Sequence, residues 1–142
     1  MEAQQSFQLL NLLALVFWIV LIFFHGKKIY RILISSGLAF ILFGLVYLVL
    51  FLTQFNFEFD SFTSIEKMSS LYANPWLILL GWVHYLAFDL LAGVWIHNDA
   101  NKNGISKALI IPSLLFTFMT GPFGLLSYLI IKYIKKKNAK VA

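Results

Sequence analysis

Long apolar runs constrain this chain more than any other feature of its sequence. Four of them cover residues 7–24, 32–53, 75–97 and 107–131, and few charged side chains interrupt them. A helix of about 20 apolar residues crosses the hydrocarbon layer of a bilayer. Only 12% of the residues are charged, whereas about 25% are charged in soluble domains. The sequence therefore predicts an all-α, polytopic membrane bundle with about four transmembrane helices, formed by residues 1–142 as one domain.

The first apolar run is predicted to stay in the protein as a transmembrane helix. It covers 18 residues, from 7 to 24, and residues 1–6 contain neither Lys nor Arg. A cleavable signal has a shorter apolar core of about 7–15 residues that follows a positively charged segment. Because the run begins almost at residue 1, we expect no plastid transit peptide either.

Residues 54–74 connect the second and third runs with a pattern of their own. Phenylalanines alternate with polar residues over 55–60, and Thr63 followed by Glu66 resembles a capping box. We expect a short interfacial helix over residues 64–72 that lies on the membrane surface. It would be either a passive surface helix or a lid over a lateral opening.

Basic residues form two clusters, at 27–31 and 132–140, and the chain has a net charge of +5. Such clusters beside apolar spans contact anionic headgroups and set orientation. We therefore expect membrane lipids as partners and no nucleic acid, because the sequence offers no folded basic face. The chain contains no cysteine, which excludes disulfides, thiolate metal sites and a cysteine nucleophile.

Orientation depends on what the fourth run does at Gly121 and Pro122. With four full spans, the Lys and Arg residues divide five against six between the two sides, and the positive-inside rule does not choose. If the run turns back at Gly121–Pro122 as a re-entrant hairpin, the division becomes ten against one. A long kinked helix is the simpler interpretation, and both stay open.

Asp89 lies in the middle of the third run, where ionisable groups are costly and are candidates for function. Trp82, Tyr85, Asp89 and Gly93 are spaced by three, four and four residues, so they share one side of a helix. This stripe offers an indole, a phenol, a carboxylate and a gap, which suits an elongated, mostly apolar ligand. The alternative is a structural carboxylate bonded to Tyr85 or to a neighbouring helix.

Two further ionisable side chains, His84 and Asp99, are weighed as functional or structural residues. His84 lies about 140° around the helix from Asp89, so the two do not form a dyad, and His84 is either a proton carrier or a structural residue. Asp99 opens a segment that resembles the first half of a calcium loop, but Ile110 stands where the closing Glu should be. A plain turn is favoured over calcium.

Several functional patterns are missing from the sequence. It has no closely spaced histidine set, no Gly-rich phosphate loop and no nucleophile elbow. We therefore predict no metal and no cofactor. No charged ring or inverted repeat marks a channel or a transporter.

From Trp82 to Tyr128 the sequence resembles a known family. The motifs, in order, are Trp82-x-His84-x-Leu86-Ala87-Phe88-Asp89-Leu90, Gly93-x-Trp95, Asp99-Ala100, Gly104-Ile105, Pro112, Thr117-Phe118 and Gly121-Pro122-x-Gly124-Leu125-Leu126-x-Tyr128. They are similar to the abscisic-acid-deficient-four family. Its plant members are plastid membrane proteins required to make neoxanthin, an epoxy-carotenoid, and its bacterial relatives are short four-span proteins.

The resemblance implies a carotenoid or similar polyisoprenoid ligand and a bacterial-type short member in the cytoplasmic membrane. On this hypothesis Asp89 is the general acid or base of an isomerase-type step, and His84 relays protons. The predicted ligand-binding residues are Trp82, Tyr85, Gly93, Trp95, Thr117, Gly121 and Pro122.

Two other classes of function compete with an enzyme. A non-catalytic protein would hold the lipid or act as a scaffold that assembles pathway enzymes. A small transporter is the third class, because a homo-oligomer could build a path that one chain lacks. The sequence leaves open whether the chain forms a homo-oligomer or associates with pathway enzymes.

Overall fold

The computed structural model describes residues 2–55 and 62–139, and all regular structure in them is helical. The helices are α1 (Ala3–Phe23), α2 (Lys28–Tyr30), α3 (Leu38–Gln54), α4 (Ile65–Leu71), α5 (Pro75–Lys102), α6 (Lys107–Thr120) and α7 (Pro122–Ala139), with a π-helical turn at Arg31–Ser35. The prediction of an all-α fold is confirmed for this part of the chain. Most of the alternating phenylalanine pattern, at residues 56–61, lies outside the described residues.

Three segments are long and apolar enough to cross a membrane: α1, the stretch Lys28–Gln54 that ends in α3, and α5. They correspond to the first three predicted spans. α6 has 14 residues and is about 21 Å long, which is less than the hydrocarbon layer of about 30 Å. The fourth predicted span therefore differs from the other three, because its first helix is too short to cross the hydrocarbon layer.

The second predicted span is not a uniform helix. It opens with the π-helical turn and is then interrupted at Gly37, whose φ is +85°. Glycine reaches this left-handed region without the steric cost that a Cβ imposes. A Cβ on Gly37 or on Gly44 would have no neighbour within 4 Å among the described residues, so neither glycine marks a close helix contact there.

α4 begins one residue later than its predicted capping box. Ser64 is the N-cap, and its hydroxyl accepts a hydrogen bond from the Lys67 backbone N–H at 3.3 Å. Thr63 is therefore not the cap. The expected short helix is present and ends beside Tyr72.

α5 is the central helix and packs against α1, α3, α6 and α7. Its predicted start is confirmed, because the Asn74 side chain accepts from the Trp76 backbone N–H at 3.0 Å and Pro75 takes the first helical position. Its predicted end at residue 97 is too early. The helix continues to Lys102, where the Asn103 side chain donates to the Asp99 carbonyl at 2.7 Å.

The loop after α1 packs on the end of α5 through two histidines. The His25 and His97 rings stack with centroids 3.6 Å apart, and His97 Nδ1 lies 3.3 Å from Asn101 Nδ2. Burial and the nearby Lys107 ammonium lower the pKa of His25, while a hydrogen bond with Asn98 raises it in part. A neutral His25 therefore suits the folded state.

The predicted fourth span divides into two helices at Gly121. This residue has φ +55° and ψ −92°, which glycine adopts far more readily than residues that carry a Cβ. Pro122, whose φ is preset, then takes the first position of α7. The prediction of a strong break is confirmed, whereas the interpretation as one long kinked helix is wrong because the chain reverses direction here.

α6 and α7 pack side by side as an antiparallel hairpin. From the open end toward the turn, the contacting pairs are Ser113–Ser127, Phe116–Phe123 and Thr117–Gly124. The Ser127 hydroxyl donates to Ser113 Oγ at 2.8 Å, and a Cβ on Gly124 would overlap Thr117. Only a small residue permits helices to approach this closely. The turned-back alternative thus describes the geometry of this segment.

α7 returns to the C-terminal end of α5, where Asp99 holds it. The Tyr128 hydroxyl donates to the Asp99 carboxylate, and Lys132 Nζ lies 2.6 Å from Asp99 Oδ2. The Trp95 ring packs edge-on against Tyr128, with Lys132 Nζ 5.7 Å from the Trp95 ring centroid. The carboxylate considered for a calcium loop is therefore engaged by a phenol and an ammonium.

Candidate functional site

A cleft of 260 Å³ lies where the middle of α5 meets the turn between α6 and α7. From α5 it is lined by Trp82, Tyr85, Leu86 and Asp89, and from the turn by Phe118, Met119, Thr120, Gly121 and Pro122. Five of the predicted site residues therefore meet in one place. The periodic stripe of α5 supplies three of them, and the Gly-Pro motif supplies the other two.

Asp89 faces Gly121 across the cleft. A Cβ built on Gly121 would lie 2.5 Å from Asp89 Oδ1, so the missing side chain makes room for the carboxylate. Asp89 is half-buried, and no described residue hydrogen-bonds or pairs with its carboxylate. The expected structural alternative, a bond from Asp89 to Tyr85 or to another helix, is absent among the described residues.

Two helix ends meet beside Asp89. α6 ends at Thr120 and α7 begins at Pro122, and both residues line the cleft. The negative end of the α6 dipole and the positive end of the α7 dipole therefore lie together at this turn and oppose each other.

Trp82 forms the wall of the cleft nearest to α1. Its indole Nε1–H donates to Asn11 Oδ1 at 2.7 Å, and its ring lies 5.3 Å from the Phe7 ring, centroid to centroid. Asn11 of α1 therefore faces α5. The amide fixes the indole, while Tyr85, three residues further along α5, stays 63% exposed.

Gly93 and Trp95, two predicted ligand-binding residues, lie outside the cleft. The gap expected at Gly93 is filled by α1, because a Cβ there would lie 2.6 Å from Cη2 of Trp18. Trp95 packs against Tyr128 near the end of α5. Helical spacing alone did not show that these two positions lie away from the cleft, because it does not reveal which neighbouring helix covers each turn.

Thr117 and His84 are also separated from the cleft. Thr117 is fully buried between α6 and α7, where its hydroxyl donates to the Ser113 carbonyl at 2.8 Å. His84 stacks on Phe88 with ring centroids 4.5 Å apart and faces Tyr47 of α3. The interpretation that His84 and Asp89 do not form a dyad is consistent with these positions.

Four cleft residues were missed by sequence reasoning: Leu86, Phe118, Met119 and Thr120. Leu86 lies three residues before Asp89, so its spacing on the helix was the available signal. For the other three the signal was their proximity to Gly121, since a break in a helix exposes the side chains around it.

The family model described as ABA DEFICIENT 4-like matches residues 5–128. No curated protein and no solved structure matches the chain. The match extends well beyond the motifs between Trp82 and Tyr128 and includes α1 and α3 as well as both sides of the cleft. On this evidence the chain belongs to the ABA DEFICIENT 4-like family.

Proposed function

We propose that this chain is an integral membrane protein that binds a carotenoid-like or other polyisoprenoid ligand in the Asp89 cleft and catalyses an isomerase-type step. One observation carries the proposal. An unpartnered carboxylate lies half-buried in an aromatic-walled cleft, about 20 Å from either end of the longest apolar helix. Carboxylates at such depth are rare and mark functional sites.

In this proposal Asp89 transfers a proton within the ligand. As a base it takes a proton from a carbon beside the conjugated chain, and as the resulting acid it returns that proton to an oxygen or carbon of the same molecule. Atoms and electrons balance within the ligand, so the step needs no oxidant. Trp82 and Tyr85 hold the polyene by stacking, and Phe118 and Met119 close the other wall.

The same proposal includes a membrane arrangement. α1, the Lys28–Gln54 segment and α5 cross the bilayer, and the α6–α7 hairpin enters and leaves on one side. Ten of the eleven Lys and Arg residues then lie on that side, with Lys67 opposite. The positive-inside rule assigns the basic side to the cytoplasm.

A second candidate function is non-catalytic binding of the same ligand class. The observation that favours it is the absence of a second acid or base beside Asp89 and Tyr85 among the described residues that line the cleft. His84, the predicted relay, faces α3 instead. A binding or scaffolding protein needs the cleft but no proton transfer.

One experiment separates these functions. The wild-type chain, Asp89→Asn and the control Glu66→Gln are expressed in a carotenoid-accumulating host, and lipids that copurify in mild detergent are identified by mass spectrometry. The proposal predicts a bound polyisoprenoid and converted product for wild type and Glu66→Gln, and bound but unconverted ligand for Asp89→Asn. Bound ligand without conversion in the wild type favours the second candidate, and no bound polyisoprenoid contradicts both.

A further inference from the structure

One exposed surface of α3 and α5 carries polar groups that the Asp89 cleft does not use. Its centre is a groove of 350 Å³ between the two helices, lined by Phe43, Gly44, Tyr47, Val83, His84, Ala87 and Phe88. His84 lies about 140° around α5 from Asp89, so the groove and the cleft face different directions. On α3 the groove ends at Tyr47, about 12 Å before Phe55.

Tyr47 and His84 lie side by side at this groove without a hydrogen-bonding partner. Their ring centroids are 6.1 Å apart, yet neither the phenol nor the imidazole forms a hydrogen bond with any described residue. His84 lies about 14 Å along α5 from Pro75, near the middle of a hydrocarbon layer about 30 Å thick. Acyl chains offer neither donors nor acceptors at that depth, so only another polar group can satisfy the pair.

The two polar groups are complementary to each other. A phenol donates through its hydroxyl, and a neutral imidazole has one nitrogen that accepts. In an isologous dimer every contact occurs twice, so Tyr47 of one copy would meet His84 of the other, and the reverse. A second copy of this surface therefore supplies both hydrogen bonds that one copy lacks.

Depth in the membrane favours this pairing. Two copies that insert in the same direction are related by a twofold axis along the membrane normal, so residues at equal depth meet. Tyr47 and His84 are at equal depth because their rings are neighbours within one chain. One turn away from them, Gly44 and Phe88 line the same groove, and they form the next pair at equal depth.

The surface also combines a protrusion with a recess. The Phe88 side chain is 57% exposed. Gly44 leaves the α3 backbone uncovered beside it, because a Cβ there would have no neighbour within 4 Å among the described residues. A twofold arrangement inserts Phe88 of each copy into the groove of the other, where the glycine permits close approach.

α3 has an apolar face left over for such a contact. It packs mainly on α5, and only 17% of the apolar window of Lys28–Gln54 is buried, compared with 39% in α1 and in α5. Ile41 and Leu48 are exposed about one turn to either side of Gly44. On α5, the exposed Leu91 continues the same surface beyond the groove.

We propose that this surface is the interface of a homodimer, in which α3 and α5 of two copies form a four-helix contact within the membrane. The Tyr47 hydroxyl of each copy donates to an imidazole nitrogen of His84 in the other, and Phe88 fills the opposite groove. The Asp89 cleft faces another side of α5 and stays open in both copies. The inference rests on the membrane arrangement proposed above and requires no reaction at Asp89.

Resonance energy transfer between labelled copies in phospholipid vesicles tests the interface. The full-length chain has no native cysteine, so Lys136→Cys carries a single donor or acceptor dye. We expect transfer that saturates with protein density and rises linearly with acceptor fraction, as for a dimer. The donor-deletion variant Tyr47→Phe/His84→Phe should raise the dissociation constant about tenfold, because two hydrogen bonds between membrane helices are lost. Gly44→Leu fills the groove and should weaken the dimer as well.

The matched control is Leu126→Phe at an exposed position on α7, and it should dimerise like the wild type. Transfer no greater than that of randomly distributed chains overturns the proposal, and so does a wild-type dissociation constant in the donor-deletion variant. Asp89→Asn should dimerise normally whatever its effect on ligand conversion, so this inference and the proposed function fail separately. If Gly44→Leu loses its helical circular dichroism spectrum, the donor-deletion variant decides alone.

Discussion

Lys132 Nζ lies 2.6 Å from Asp99 Oδ2, and this ion pair joins the last helix to the C-terminal end of the central one. The Tyr128 hydroxyl donates to the same carboxylate. Together these contacts close the open end of the hairpin, as the Gly121 turn closes its other end. The hairpin is therefore fixed to α5 at both ends, and one of these ends forms a wall of the Asp89 cleft.

Asp99→Asn should therefore lower the free energy of unfolding in detergent, by about 1 kcal/mol as expected for a partly exposed pair. Lys132→Met should have a similar effect. The double variant should lose less than the sum of the two, since each single change removes the same contact. Strictly additive losses in the free energy of unfolding would show that the pair contributes nothing.

Gly124→Ala should separate α6 from α7. The added methyl group overlaps the backbone nitrogen and hydroxyl of Thr117, and overpacking of this kind costs about 1–3 kcal/mol. Gly44→Ala is the control, because nothing lies within 4 Å of its Cβ position and alanine favours a helix over glycine by up to about 1 kcal/mol. Thermal unfolding in detergent measures both, and equal midpoints would contradict the close approach.

Cysteine accessibility should place both basic clusters on one side of the membrane. The chain has no native cysteine, so Lys28→Cys, Lys67→Cys and Lys136→Cys each introduce a unique thiol. In sealed vesicles, a membrane-impermeant maleimide should label positions 28 and 136 from the same side and position 67 from the other. Labelling of 67 and 136 from one side would instead indicate a full fourth crossing.

Acidification should destabilise the fold through His25. The pKa of His25 in the folded chain lies below its ordinary value of 6.5, so the unfolded chain binds the proton more readily. Stability is then fully present above pH 6.5 and falls as the pH drops from there toward the folded pKa. Thermal midpoints measured across the interval from neutral to mildly acidic pH give the slope.

The variant His25→Phe keeps a ring against His97 but cannot be protonated at that position. Its stability should depend less steeply on pH than that of the wild type over the same interval. An unchanged slope would assign the pH dependence to other groups.

Helical periodicity predicted the parts of this molecule that one helix determines by itself. It placed Trp82, Tyr85 and Asp89 on one side of α5, and the predicted start of the third run at residue 75 is where that helix begins. Local chemistry likewise located the break at Gly121. These features depend on residues within a few positions of one another, and the sequence displays them directly.

Contacts between distant segments were beyond such reasoning. Nothing in the spacing of α5 shows that Trp18 covers Gly93, or that His84 turns toward Tyr47. The return of α7 depends on Asp99 and Lys132, which are separated by 33 positions in the chain. The count of Lys and Arg residues did indicate this arrangement, because ten of the eleven lie on one side only in the turned-back alternative.

In the proposed membrane arrangement, the short α6–α7 hairpin gives the protein two unlike halves. Four helices, α1, α3, α6 and α7, pack on α5, but the hairpin ends at Gly121, level with Asp89, so beyond it only α1 and α3 would remain against α5. A long hydrocarbon bound as proposed would present one segment to Asp89 from that side and leave the rest of its length among the acyl chains. Molecules far longer than the cleft would then bind without being enclosed.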